Sequence, residues 1–218
     1  MSNSQKSKGS KPRLPIIHRD QIGDAVGGEI RNLSDIESLH IKDLNVGDFD
    51  FTDAKIESTI IENAKCDAAK AKGASLIDVI VKHSSFANAL FDSAQLHRVE
   101  IVDARLTGWR VSNGKLTDVT FRNCKANLAN FRFCKLTKVI FDNCILSEAD
   151  FLGAELENVS FNSCDLTNAE FSQTKFKNVD LSGSKLEGAR IGIEQLRGTT
   201  IDYSQSVYVL QVLGIKIG

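Results

Sequence analysis

The stretch ADFLGAELENVSFNSCDLTNAEF, residues 149–171, repeats a pattern every five residues, although no two of its five-residue units are identical. Its large apolar residues fall five apart, at Phe151, Leu156, Phe161, Leu166 and Phe171. A smaller residue lies two positions before each of them: Ala149, Ala154, Val159, Cys164 or Ala169. Because a helix repeats every 3.6 residues and a strand every two, neither would keep such a series on one side. The spacing predicts a chain that turns a corner every five residues.

The five-residue register extends far beyond this stretch. From Ile36 to Ile201 it passes through 34 consecutive centres, all apolar and without an insertion. Asparagine or glycine lies two positions after many of these centres, as at Gly153, Asn158 and Asn168. Both residue types tolerate the positive φ that some tight turns require. We therefore expect a coil in which each side points one large and one smaller residue inward.

The number of sides in each coil follows from a longer period of twenty residues. This period separates two sets of phenylalanines: Phe121, Phe141 and Phe161, and Phe131, Phe151 and Phe171. A four-sided coil would stack each set about 4.8 Å apart, as in hydrogen-bonded strands. The sequence predicts an all-β fold, a quadrilateral β-helix of about eight coils that forms a rod roughly 40 Å long.

Several five-residue units of the repeat match the sequence pattern of a known protein family. ADFLG, CDLTN and VDLSG each read as a small residue, an aspartate, a leucine or phenylalanine, and two further residues, of which one or both are small or polar. In this the chain resembles the pentapeptide-repeat family, and the resemblance implies a right-handed quadrilateral β-helix with a capped end. We expect a disordered basic tail over residues 1–15, an N-terminal cap over 16–35, the β-helix over 36–203 and a C-terminal helix-strand tail over 204–218.

Composition and charge narrow the class of protein. The formal net charge is −1, with 42% hydrophobic and 25% charged residues, as in an ordinary soluble chain. Four basic residues lie in the first 15, and without them 23 basic residues face 28 acidic ones. Near neutrality gives no electrostatic basis for direct nucleic-acid or membrane binding. The N-terminus lacks the apolar core of a secretory signal, so we expect a cytoplasmic protein.

The residue types that most often carry chemistry do not form a site in this sequence. All five cysteines fall on inward positions of the repeat, where a thiol acts as a small hydrophobe: Cys66, Cys124, Cys134, Cys144 and Cys164. The sequence has no Cys-x-x-Cys pair and no phosphate- or dinucleotide-binding glycine motif. We therefore expect no enzyme activity, no catalytic residue, no metal and no cofactor.

A few large residues break the pattern of the repeat. Leu128 and Phe133 occupy corner positions that should face water, and Ile60 and Ile80 lie one position before a centre, also facing outward. These four either form a contact patch for a partner or are isolated exposed residues, which are common on protein surfaces. Trp109 occupies a small inward position, where we expect an indole to distort the wall.

The C-terminal stretch SVYVLQVLGIKIG does not continue the five-residue period. Its apolar residues predict a short helix that ends near Gly214, and Ile215 and Ile217 then alternate with Lys216 as in a strand. The stretch is either a cap over the last coil or the contact of a homodimer. The residues expected at the dimer interface are Val207, Tyr208, Val209, Leu210, Val212, Leu213, Ile215 and Ile217.

Two functions remain open from the sequence. The first is a non-catalytic scaffold that presents flat faces to an unidentified protein partner. The second comes from the tail, which resembles the helix-then-strand ending of the quinolone-resistance (Qnr-type) members of the family. That resemblance implies a homodimer of two rods that mimics DNA, binds DNA gyrase or a related topoisomerase, and protects it from poisons such as quinolones.

Overall fold

The computed structural model describes residues 11–26, 35–45 and 50–216. Parts of four expectations therefore lie outside the described residues: positions 1–10 of the tail, 27–34 of the N-terminal cap, 46–49 of the β-helix, and 217–218 of the C-terminal tail, with Ile217. The strands of the described residues are β1 (Gly23–Val26), β2 (Asp35–Glu37), β3 (Leu39–Lys42), β4 (Lys55–Glu62), β5 (Ser75–Lys82), β6 (Gln95–Val102), β7 (Lys115–Arg122), β8 (Lys135–Asp142), β9 (Glu155–Glu157), β10 (Ser160–Asn162) and β11 (Lys175–Lys177). Helix α1 (Ile193–Leu196), a 3-10 turn (Tyr203–Gln205) and helix α2 (Ser206–Val212) follow.

The strands pair in parallel, with an offset of sixteen residues between β1 and β3 and of twenty residues between the later strands. Leu76 pairs with Leu96, which in turn pairs with Leu116. Isolated bridges with the same offset, such as Lys65 to Ser85, run up the other walls. One coil thus takes twenty residues and four walls, and the predicted right-handed quadrilateral β-helix is confirmed.

The rod has about seven turns, one fewer than the spacing predicts. Leu196, which the spacing counts as a wall centre, lies in α1, and Ile201 lies in the loop before the 3-10 turn. Both are partly buried against the core. The apolar register therefore continues beyond the last wall strand, and its final members attach the C-terminal cap.

The corners of the coil impose one backbone conformation on very different residues. Residues two positions after a centre have φ near +55°, among them Asn143 (52°), Lys138 (55°) and Phe133 (57°). Asparagine accepts this left-handed region easily, whereas a lysine or a phenylalanine is strained there. Because the wall hydrogen bonds on both sides fix each corner, the register of the coil overrides local preference.

Two ladders of phenylalanine rings fill the C-terminal half of the core. Rings twenty residues apart are nearly parallel, with centroids 4.8 Å apart for Phe121 and Phe141 and 4.8 Å for Phe131 and Phe151. The two ladders meet edge to face, at 83° between Phe131 and Phe141. Both geometries are favoured by the ring quadrupole, so the predicted ladders also interlock.

Side chains at several small inward positions donate hydrogen bonds to backbone carbonyls of the preceding turn. Cys134 Sγ donates to Val111 O at 2.9 Å, and Thr174 Oγ1 donates to Phe151 O at 2.8 Å. Ser184 Oγ repeats the contact with Phe161 O at 2.8 Å. Thiols and hydroxyls are therefore tolerated in the core because each has a carbonyl acceptor in the same relative place. All five cysteines are buried and free.

Trp109 fits its small position without breaking the wall, and the expected distortion is absent. Asn130 N donates to Trp109 O at 2.8 Å, and Arg110 N donates to Ala89 O at 3.0 Å, as elsewhere in the ladder. The indole is 2% exposed and packs between Phe91 and Phe131. Its Nε1 is the one buried side-chain polar atom of the described chain without a partner. A wholly apolar cavity of about 40 Å³ begins at this indole and runs toward the N-terminal coils.

Candidate interaction surfaces

The C-terminal end of the rod is closed by a buried glutamine. Gln205 Nε2 donates at 2.7 Å to Leu181 O and at 2.7 Å to Ser184 O, carbonyls of the last turn. Its Oε1 accepts from Asp202 N at 2.9 Å, which completes a capping box at the 3-10 turn. Two carbonyls of the last turn are therefore satisfied before α2 begins.

Helix α2 lies over this closed end and is only half covered. Tyr208 packs against the core, and its hydroxyl donates to Ala189 O at 2.9 Å. In contrast, Val207, Leu213 and Ile215 are 50%, 49% and 48% exposed. The remaining residues expected at the dimer interface are partly buried: Val209, Leu210 and Val212. An apolar surface is thus left facing away from the rod.

The end of α2 has the geometry that Gly214 predicts. Gly214 has φ of 74°, its N–H donates to Gln211 O at 2.9 Å, and Ile215 N donates to Leu210 O at 2.9 Å. This pair of bonds is a Schellman motif, which ends a helix at a left-handed residue. The predicted strand after it is wrong for the described residues, because Ile215 and Lys216 belong to no strand.

The structure separates the four residues of the expected contact patch into two places. Ile60 pairs with Ile80 on one wall, as their twenty-residue spacing predicts. Ile60 is only 9% exposed, so its expected exposure is wrong. It lies between His40 and Ile80 in the outward column of this wall, and its neighbours in that column shield it from water.

Leu128 and Phe133 lie at corners of the middle turns and are 54% and 53% exposed, as expected. The Phe133 ring covers the face of Gly153, 2.6 Å from where a Cβ would stand, so only glycine fits beneath it. The guanidinium carbon of Arg132 lies 5.9 Å from the ring centroid, within the range of a cation–π contact. Ile145, 42% exposed, is an exposed apolar residue that the sequence reasoning missed, although it lies one position before a centre, as Ile60 does.

Charged side chains on the walls pair between neighbouring turns. Arg122 contacts Glu100 at 3.0 Å and Asp142 at 3.5 Å. On another wall Glu155 contacts Lys175 at 2.8 Å and Lys135 at 3.5 Å. These exposed pairs add little stability individually, but they neutralise the acidic residues of the walls.

A segment near the N-terminus lies against one corner of the rod. Arg13 donates to the Asp118 carboxylate twice, from its backbone N at 3.1 Å and from Nε at 2.9 Å. Ile16 N donates to Asp78 Oδ1 at 2.9 Å. The sequence placed positions 11–15 in a solvated tail, and this is corrected for Arg13, which two hydrogen bonds hold to the wall. We call residues 13–16 the strap.

The strap and its partners shift the pKa values of three neighbouring groups. Burial works against ionisation of Asp118, but the hydrogen bonds from Arg13 outweigh it and hold the pKa of Asp118 below its usual value. Burial likewise opposes ionisation of Asp78, and the hydrogen bonds from Arg98 and Ile16 keep its pKa low. Burial, followed by the charges of Arg98 and Arg13, lowers the pKa of His97. Asp78 and Asp118 are therefore ionised at neutral pH, whereas the lowered pKa keeps the imidazole of His97 neutral.

Neither a metal site nor a membrane-spanning helix is found in the part of the chain that the structure describes. No three histidine, cysteine, aspartate or glutamate side chains of the described residues gather closely enough to hold a metal ion. None of the described helices has the length and apolar character needed to cross a bilayer.

The fold and its surfaces define a four-sided repeat solenoid. A family model of the pentapeptide repeat region matches residues 74–151 and 134–205, more than half of the chain, so the chain belongs to the pentapeptide-repeat family. No curated protein matches it.

Solved structures of similar shape share little sequence with this chain. Full-length QnrB1, a plasmid-mediated fluoroquinolone resistance protein, is 20% identical with a TM-score of 0.48, over 88% of this chain and 97% of that chain. HetL, a pentapeptide repeat protein involved in heterocyst differentiation regulation in the cyanobacterium Nostoc, is 15% identical with a TM-score of 0.33, over 79% of this chain and 90% of that chain. A pentapeptide repeat protein from the Arabidopsis thaliana thylakoid lumen is 15% identical with a TM-score of 0.29, over 60% of this chain and 74% of that chain.

Proposed function

We propose that this protein is a non-catalytic interaction scaffold that joins to a second copy of itself through its C-terminal end and presents its walls to a protein partner. The observation that carries the proposal is the apolar surface left over a closed rod end. Gln205 already donates to two carbonyls of the last turn, Leu181 O and Ser184 O. Val207, Leu213 and Ile215 nevertheless remain about half exposed.

Self-association is the simplest way to cover this surface. A helix of seven residues is marginal alone and needs packing on more than one side. Two copies related by a two-fold axis would place the same apolar residues against each other, as an isologous interface requires. The walls of both rods would then stay free for a partner.

Light scattering at micromolar concentration tests the self-association. The wild-type chain should have the mass of a dimer, and Leu213→Glu should have the mass of a monomer because it buries a charge in the interface. Gln95→Glu is the matched control, since it adds the same charge to an exposed polar position of β6, away from α2. A wild-type monomer, or a Leu213→Glu dimer, would show that α2 is only a cap.

The scaffold role is tested by capture of a partner on the walls. Charge reversals on one wall at a time, beginning with Arg122→Glu, should abolish capture on a single wall and leave the mass of the dimer unchanged. If every wall variant retains the same partners as wild type, the rod walls do not bind them.

Topoisomerase protection is the second candidate, supported by the resemblance of the tail to the Qnr-type ending. A DNA mimic needs a continuous acidic face, and the pairing of Glu100 and Asp142 with Arg122 works against one. A gyrase supercoiling assay with and without a quinolone decides the matter. Neither inhibition nor protection at a tenfold excess of this protein would eliminate this candidate.

A further inference from the structure

The strap runs along the axis of the rod and spans two turns. Asp78 and Asp118 are forty residues apart in one corner column, which places them roughly 10 Å apart at the spacing of paired strands. Arg13 and Ile16 are three residues apart, and an extended chain covers roughly 10 Å in three residues. The two backbone N–H groups that donate to the carboxylates therefore match the repeat of the rod only when the strap is extended.

The contacts of the strap with the corner are mainly polar. Asp118 receives the backbone N–H and the guanidinium of Arg13, and Asp78 receives the backbone N–H of Ile16. The aliphatic side chains of the strap contribute little, since Leu14 is 68% exposed and Ile16 is 53% exposed. A segment held in this way recognises an arginine and an extended backbone.

The carboxylates depend unequally on the strap. Asp78 keeps a second partner, because Arg98 Nε donates to it at 2.6 Å. Among the described residues, the side chain of Asp118 accepts hydrogen bonds from Arg13 alone, and it is 1% exposed. An occupant that covers this carboxylate must supply it with donors, so this corner favours an occupant that carries an arginine.

We propose that the corner column Asp78–Arg98–Asp118 is a peptide-binding site, and that the strap fills it until a partner protein's extended segment displaces the strap. The segment it takes carries an arginine and is extended over the three residues that follow it. Pro15, directly before Ile16, shows how such a segment is pre-ordered, because proline favours the extended backbone and reduces the entropy lost on binding.

The kind of partner follows from the charge of the column. Two carboxylates flank one guanidinium, so a single added arginine is attracted and an acidic segment is repelled. The backbone donors come from any peptide, which leaves the arginine as the main determinant of specificity. Displacement exchanges one set of charge-assisted bonds for an equivalent set, so the strap competes with the partner without blocking it permanently.

Fluorescence anisotropy with a labelled peptide of residues 11–20 tests the site in the full-length chain. Wild type should bind the peptide weakly, since the strap is present at a millimolar effective concentration. Arg13→Glu places a like charge beside Asp118 and releases the strap, so it should bind the peptide at least tenfold more tightly. Arg13→Ala should give a smaller increase in the same direction.

Two controls separate recognition at this corner from non-specific attraction. Adding Asp118→Asn to Arg13→Glu should return the affinity to the wild-type level or below. A peptide with glutamate in place of its arginine should not bind any variant. The proposal is overturned if Arg13→Glu, folded by circular dichroism, binds no more tightly than wild type, or if Asp118→Asn leaves the gain unchanged.

Discussion

The guanidinium of Arg13 and the carboxylate of Asp118 meet at 2.9 Å although 105 residues of chain separate them. Asp118 is itself strained, with φ of 56° at a corner of the coil. An aspartate accepts this conformation more readily than most residues, and it also supplies the acceptor that the strap needs. The same corner position thus serves the turn and the long-range contact.

The strap contact should make stability depend on pH in a defined direction. Because Arg13 holds the folded pKa of Asp118 below the unfolded value of about 3.9, the contact stabilises the protein above that value and is lost as pH falls through the folded pKa. Arg13→Ala should lower Tm by a few degrees at pH 7, where 1 kcal/mol corresponds to roughly 2–4 °C in a chain of this size. The difference should shrink below about pH 4. A difference that grows on acidification would contradict this assignment.

The phenylalanine ladders should be the most sensitive part of the core. Phe151→Ala removes a fully buried ring from between two parallel neighbours and should cost about 3–5 kcal/mol in urea unfolding. Phe151→Arg should be worse, because a charge at that position has no water or partner. Phe133→Ala is the matched control and should cost less than about 1 kcal/mol, since that ring is 53% exposed. Equal losses at the two positions would refute the register.

Removal of the glutamine that closes the rod should loosen the C-terminal end before the rest. Gln205→Ala leaves the carbonyl of Ser184 without its Gln205 donor, removes one of the two donors to the carbonyl of Leu181, and should cost roughly 1–3 kcal/mol. Hydrogen exchange should speed up first in α2, because the last turn has no further turn to hold it. Gln211→Ala, on the exposed side of the same helix, should leave both stability and exchange near wild type. Uniform faster exchange along the rod would contradict a local role.

The cysteines should not react with a thiol reagent while the protein is folded. Burial raises the pKa of Cys66 to about 12 and that of Cys134 to about 12, so few thiolates form, and the side chains are out of reach. All five should react once the chain is unfolded. The exposed turn position of Thr52 provides a positive control, because Thr52→Cys should react at once in the folded protein. Fast reaction of the native wild-type chain would show that the walls open.

The five-residue register predicted the walls and the ladders, and the apolar run before Gly214 predicted where α2 ends, because each depends on residues that repeat or lie close in the sequence. It did not predict the burial of Ile60, since the neighbours that shelter it stand one turn away on either side. The strap was missed for a stronger reason. Its contacts join Arg13 to residue 118 and Ile16 to residue 78, and no local pattern near the N-terminus specifies those distant partners.

The fixed offset of twenty residues determines which insertions the coil can accept. An insertion of one residue in a corner would turn every later inward side chain away from the core. An insertion of five between Phe141 and Phe161 would keep the apolar positions inward but move each later residue to the next wall, so Phe161 would no longer stack on Phe141. Only a change of twenty restores both. The chain can therefore lengthen by whole turns without redesign of its core, and its wall columns would continue in the same order.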